Sequence, residues 1–112
     1  TIPSELLITQ TGNIYSEIPQ SISLSQNYPN PFNPVTNLEF EIPAVLHGAS
    51  PGFVSLKVYN IVGKEIATLV DGNLNPGIYK YKFDGSNLTS GVYFYTLKVN
   101  GFSETKKMIL LK

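Results

Sequence analysis

The chain has 112 residues, enough for one domain with a modest core, and its eight lysines balance six glutamates and two aspartates to a formal net charge of zero. It has no arginine, so it lacks the clustered cations that nucleic-acid binding or a polybasic membrane anchor needs. It has no cysteine, which excludes disulfides, zinc–thiolate sites and thiol nucleophiles.

The opening "TIPSELLITQ" has neither Met nor a signal-peptide pattern, and the chain is expected to be a piece of a larger protein. Residues 1–20 read as a linker or the end of a preceding region, with Leu6, Leu7 and Ile8 as a short apolar triplet. The domain is expected over 21–112. "ISLSQ" sets Ile22 and Leu24 against serines as a first strand. "NYPNPFNP" follows, and Pro29, Pro31 and Pro34 keep it out of any sheet interior. Its PxxP spacing invites a polyproline-ligand reading, but its place between two strands favours a stiff corner crossing from one sheet to the other. In that corner Tyr28 and Phe32 are expected to cap the core, and the asparagines to satisfy backbone groups.

"TNLEFEIP" alternates Leu38, Phe40 and Ile42 with Glu39 and Glu41, a half-buried strand stopped by Pro43. "HGASPG" reads as a loop. "FVSLKVYN" sends Val54, Leu56 and Val58 inward and Ser55 and Lys57 outward. "NIVGKE" turns around Gly63, "EIATLV" returns as a strand, and "DGNLNPG" is expected as a second turn. "IYKYKF" places Tyr79, Tyr81 and Phe83 on the core face and Lys80 and Lys82 outside. After the loop "DGSNLTSG", "VYFYTLKV" is apolar on both faces and reads as a central strand. Asn100-Gly101 predicts a type I′ hairpin into the last strand, "FSETKKMILLK".

Seven Tyr, six Phe, frequent β-branched residues and no sustained helical period make the chain all-β. About seven strands in roughly 90 residues suit an immunoglobulin-like antiparallel β-sandwich with Greek-key connections. Tyr93, at the start of the sixth strand and two residues after Gly91, has the placement of a tyrosine corner, whose hydroxyl bonds back to the preceding loop.

Candidate chemistry is sparse. His47 is the one histidine and has no partner for metal binding or acid–base work. Glu39 and Glu41 lie roughly 6.5–7 Å apart along a strand, near glycosidase spacing, but two glutamates on an open strand are far more often a solvated face. Asp71 and Asp84 each precede Gly and could sit in a calcium loop, although Asp-Gly is first a turn dipeptide. No phosphate-binding glycine loop or G-x-S-x-G motif occurs, so no cofactor and no catalytic activity are expected. Tyr59 and Phe94 are the aromatics expected at the surface, where they could stack on sugar rings.

From Ser23 to Lys112 the chain resembles the type A C-terminal sorting domains of proteins exported by the type IX secretion system of Bacteroidota and their relatives. "LSQNYPNPFNPVTNLEFEIP" is similar to the family's opening signature, with Tyr28, Pro29, Pro31, Phe32 and Pro34. "VSLKVYNIVGKEIATLVDG", with Tyr59 and Gly63, is similar to its middle signature. "LTSGVYFYTLKVNGFSETKKMILLK", with Gly91 and Tyr93, is similar to its closing one. "AVLHGASPGF" departs as a longer loop. The resemblance implies an immunoglobulin-like sandwich and an address rather than a reaction. It implies recognition by the type IX translocon of a cargo that reached the periplasm, and then cleavage by a cell-surface sortase within 9–23. Attachment of the cargo to an anionic lipopolysaccharide would follow, leaving the protein secreted or at the cell surface. The signal would centre on Lys106, Lys107, Met108, Ile109, Leu110, Leu111 and Lys112. Two other readings remain beside it, a carbohydrate-binding accessory module and a structural immunoglobulin-like spacer of a secreted enzyme.

Overall fold

The computed structural model describes residues 22–43 and 52–112. The linker, its apolar triplet and the "HGASPG" loop up to residue 51, His47 included, lie outside these residues. The described residues form seven strands: β1 (Ser23–Leu24), β2 (Val35–Ile42), β3 (Gly52–Tyr59), β4 (Glu65–Leu74), β5 (Gly77–Asp84), β6 (Gly91–Val99) and β7 (Phe102–Leu110). They build two antiparallel sheets, ordered β1-β2-β5 and β4-β3-β6-β7. The chain is therefore an all-β sandwich, as its alternating sequence requires: each strand has one apolar face, and two sheets bury those faces against each other.

The inward positions are those that alternation marks. Leu38, Phe40 and Ile42 of β2, Val54, Leu56 and Val58 of β3, and Tyr93, Tyr95, Leu97 and Val99 of β6 form the centre of the core. Met108 and Leu110 of β7 join them with no exposed surface. β6 lies between β3 and β7, the central place expected of it; its inward residues are buried, and its outward Val92, Phe94 and Thr96 are half-buried. Phe40 stacks on Tyr79 and Tyr81, with ring centroids 5.3 and 6.0 Å apart. Those two tyrosines are only half-buried, because β5 is an edge strand, while Phe83 is buried.

Four local expectations change. Asp71 and Gly72 are not a turn: they pair with Ser55 and Val54, and β4 runs on to Leu74. Two β-bulges, with Leu69 and Ile66 as the extra residues, re-aim β4 along β3, and the eight residue pairs between the two strands override the local turn preference of Asp-Gly. Ser55, expected outside, is buried, since it sits on an inner strand between Asp71 and Lys98. The first strand is shorter than "ISLSQ" suggests. The hairpin at Asn100-Gly101 forms, with Val99 opposite Phe102, but Asn100 (φ 53°) alone takes the left-handed conformation, so the turn is not type I′.

Candidate functional site

The proline-rich corner is the link between the two sheets. Ser25 N–H donates to Glu39 O at 2.9 Å, and Tyr28 and Asn37 exchange backbone hydrogen bonds of 3.1 and 3.0 Å, so the chain still follows β2. It then crosses to the other sheet. Phe32 N–H donates to Ile109 O, and Leu111 N–H donates to Phe32 O, each at 2.9 Å, a parallel bridge on the outer edge of β7. Asn30 Oδ1 accepts from Ile109 N–H at 2.9 Å, and Gln26 Nε2 donates to Lys107 O at 2.7 Å. Four outward-facing backbone groups between Lys107 and Leu111 thus have partners from the corner. An edge strand left bare would be a template for pairing.

The corner is held from inside by polar groups. Asn27 and Thr36 are buried. Asn27 Nδ2 donates to Thr36 Oγ1 and Pro29 O at 3.0 Å each, and Thr36 Oγ1 donates to Pro29 O at 2.7 Å. Phe32 is 1% exposed and meets Phe83 edge-on at 6.1 Å. Tyr28, expected to cap the core beside Phe32, points to solvent instead, 78% exposed. The crossing lets only one of the two rings reach the core. The peptide bonds preceding Pro29, Pro31 and Pro34 are cis.

The end of the sandwich where β6 begins and β7 finishes gathers the remaining pieces. Gly85 N–H donates to Pro34 O at 2.7 Å. A Cβ on Gly85 would lie 3.2 Å from Leu110 Cδ2 and 3.4 Å from both Phe32 Cε2 and Pro34 O, a tight approach at which these neighbours would have to give by a few tenths of an ångström. Tyr93 O–H donates to Thr89 O at 2.7 Å, the bond a tyrosine corner makes. Lys112 N–H donates to Ser90 Oγ at 2.9 Å and its Nζ to Ser86 O at 2.6 Å. Asp84 accepts from Ser86 through both backbone and hydroxyl; these bonds, with Lys112 nearby, hold its carboxyl below the usual range. Gly91 opens β6 opposite Leu110.

The closing residues divide by parity. Met108 and Leu110 point into the core, Ile109 is half-buried on the outer face opposite Val92, and Lys107, Leu111 and Lys112 are exposed. Lys106 is half-buried and pairs with Glu104 at 3.2 Å. The middle signature supplies the turn between β3 and β4. Gly63 sits at φ 87° there, and Tyr59 lies half-buried beside Phe94, so neither aromatic forms the exposed platform expected of them.

Elsewhere the chemistry is thin. Glu39 faces Lys80 and Glu41 faces Ile78 across the β2–β5 ladder. Among the described residues no group of three or more His, Cys, Asp or Glu could hold a metal ion. No helix among them is long and apolar enough to cross a membrane. Sequence reasoning missed Gly85, the Asn27–Thr36 pair and the serines that hold Lys112, because each depends on what folds against it.

A family model, the secretion system C-terminal sorting domain, matches residues 26–111. The chain belongs to that family. Its role is that of a type IX secretion C-terminal sorting signal, which marks proteins that are secreted or attached at the cell surface and implies interaction with that secretion system. Sorting-signal domains of this kind are typically non-catalytic. Comparison with curated proteins finds no match.

Proposed function

We propose that the type IX translocon reads residues 21–112 as a folded domain, through a surface centred on the closing residues Lys106 to Lys112. In this reading a cell-surface sortase then cuts within 9–23, and the cargo is joined to an anionic lipopolysaccharide. The observation that carries the reading is the parity of the tail, together with the family match. Met108 and Leu110 anchor the closing strand in the core, Lys107 and Leu111 are left exposed for a partner, and Lys112 is exposed while its Nζ is held by Ser86 O. A linear tag would have no need to be half core. A signal of this form works only as part of the folded sandwich.

The test is a fusion of the full chain to a periplasmic reporter in a host that carries this secretion system. The unsubstituted fusion should appear outside the cell, shortened by a cut within 9–23 and carrying lipopolysaccharide, as mass spectrometry would read. The variant Lys107→Ala/Leu111→Ala/Lys112→Ala should melt within a few degrees of the parent yet stay inside. External reporter at the parental level would refute the proposed surface. An uncut domain on secreted reporter would refute the cleavage.

A further inference from the structure

We infer that the outer face of the β1-β2-β5 sheet carries a saccharide-binding site, at which the exposed Tyr28 ring stacks on one unit of a neutral pyranose chain and Ser25, Glu39 and Lys80 bond its hydroxyls. Its chemistry is separate from the sorting role.

Of the two aromatics in the proline corner, Phe32 enters the core, while Tyr28 is 78% exposed and its ring meets no other aromatic ring among the described residues. Its hydroxyl has no hydrogen-bond partner among them either. A large apolar ring left in water gains nothing from folding. The backbone beneath it is nevertheless fixed: Tyr28 and Asn37 exchange two backbone hydrogen bonds, and Asn37 Nδ2 donates to Tyr28 O at 3.2 Å. The register accounts for the outward aim. Leu24 lies opposite Phe40 and Tyr28 opposite Asn37, so the corner takes four steps where β2 takes three. The extra residue is a bulge, and bulges re-aim side chains. Tyr28 is thus a plate ordered in advance, which loses little entropy on binding.

Beside the ring lies a hollow of about 220 Å³, lined by Ser25, Gln26, Tyr28, Asn37, Glu39 and Lys80. Two cross-strand rows shape it. Tyr28 and Asn37 form one, and Ser25, Glu39 and Lys80 form the next, two residues further along β2. The rows stand roughly 6.5 Å apart, a spacing that suits one sugar ring. Glu39 and Lys80 face each other across the ladder yet form no ion pair. Neither of these side chains nor the Ser25 hydroxyl has a hydrogen-bond partner among the described residues. Gln26 Nε2 donates to Lys107 O at 2.7 Å, so with Asn37 Nδ2 also engaged the two amides are held with their oxygens left as acceptors.

These groups select the ligand. The negative face of a tyrosine ring favours the C–H groups that a pyranose with equatorial hydroxyls presents on its flat sides. The ammonium supplies donors only, the carboxylate acceptors only and the serine hydroxyl both, which is the mixture that a hydroxyl-rich ligand uses. The charges of Glu39 and Lys80 cancel, so an anion would meet the carboxylate and a cation the ammonium. An apolar side chain of a protein partner would strip water from both charged groups and give them nothing in return. A neutral sugar ring satisfies the aromatic and the polar side at once, the pattern of a site in which a few placed polar groups fix orientation.

The test titrates the isotope-labelled full chain with cellohexaose and with xylohexaose, both rich in equatorial hydroxyls, and follows backbone amide signals by NMR. At least one of the two should shift the signals of the residues that line the hollow, with a millimolar Kd. Tyr28→Ala should weaken binding about tenfold with an unchanged melting temperature, since the ring is exposed. Tyr28→Phe keeps the ring and should keep the affinity, whereas Lys80→Ala should lose severalfold with the ring in place. Ile78→Ala, at an exposed position of the same sheet outside the hollow, should bind as the parent does. The glucuronate and glucosamine counterparts of cellohexaose should bind no more tightly than the neutral chain. Silence with both neutral probes, shifts centred away from the hollow, or tighter binding of a charged counterpart would overturn the inference. So would parental affinity in Tyr28→Ala or Lys80→Ala, or lost affinity in Tyr28→Phe or Ile78→Ala.

Discussion

Tyr93 and Tyr95 stand two residues apart on the same face of β6, and their hydroxyls reach opposite kinds of support. Tyr93 ties its own strand to the loop before it, through Thr89 O. Tyr95 reaches across the sandwich, where its hydroxyl donates to Ser25 O at 2.7 Å and fastens the start of the proline corner. Replacing Tyr93 with Phe should cost about 0.5–1.5 kcal/mol in urea unfolding, the loss of one hydrogen bond. Burial pushes the Tyr95 hydroxyl up to about 12, although the bonded backbone nearby favours its ionised form. A raised folded-state value means that Tyr95 contributes stability fully below the ordinary tyrosine range, near pH 10, and loses it as pH climbs toward about 12. Unfolding measured across that window should show a shallower alkaline fall for Tyr95→Phe than for the parent. An equally steep fall in both would place the alkaline sensitivity elsewhere. The tyrosine corner was legible from the spacing of Gly91 and Tyr93, because its bond is local. The Tyr95 bond joins residues 70 apart in sequence and was not legible.

At the scale of elements, the corner and β7 are one unit. The corner is irregular in sequence and carries three prolines, yet it supplies the partners that the edge of β7 lacks. Gly85 is where this unit meets the loop before β6, packed against Leu110, Phe32 and Pro34. Gly85→Ala should therefore destabilise the fold by about 1–3 kcal/mol, as overpacking does. Gly72→Ala, at an open position on β4 with nothing within 4 Å of an added Cβ, should leave the melting temperature nearly unchanged. Equal effects at the two positions would refute the packing account. The strand pattern was legible wherever apolar and polar residues alternate, as in β2, β3 and β5. It failed at Asp71-Gly72, where local turn chemistry and long-range pairing disagree and the pairing with β3 prevails.

For the whole molecule, the proposed reading has fold and signal share residues. Met108 and Leu110 have no exposed surface, so Met108→Ala or Leu110→Ala should cost about 2–5 kcal/mol and abolish secretion by unfolding the domain. Lys107→Ala should shift stability by no more than about 0.5 kcal/mol, as exposed positions do. Comparing secretion with melting for these variants separates recognition from folding. If Met108→Ala melts as the parent does, the closing strand is not part of the core.

The sequence by itself determined the all-β class, the run of strands, the inward residues and the family, because alternation, turn chemistry and ordered signatures are all local. Tertiary structure decided which end of the molecule the corner reaches, that Phe32 enters the core while Tyr28 does not, and that the closing residues split into buried anchors and exposed side chains. Those outcomes depend on which strands become neighbours across two sheets, and neighbour choice is set by burial and backbone pairing between residues far apart in the chain.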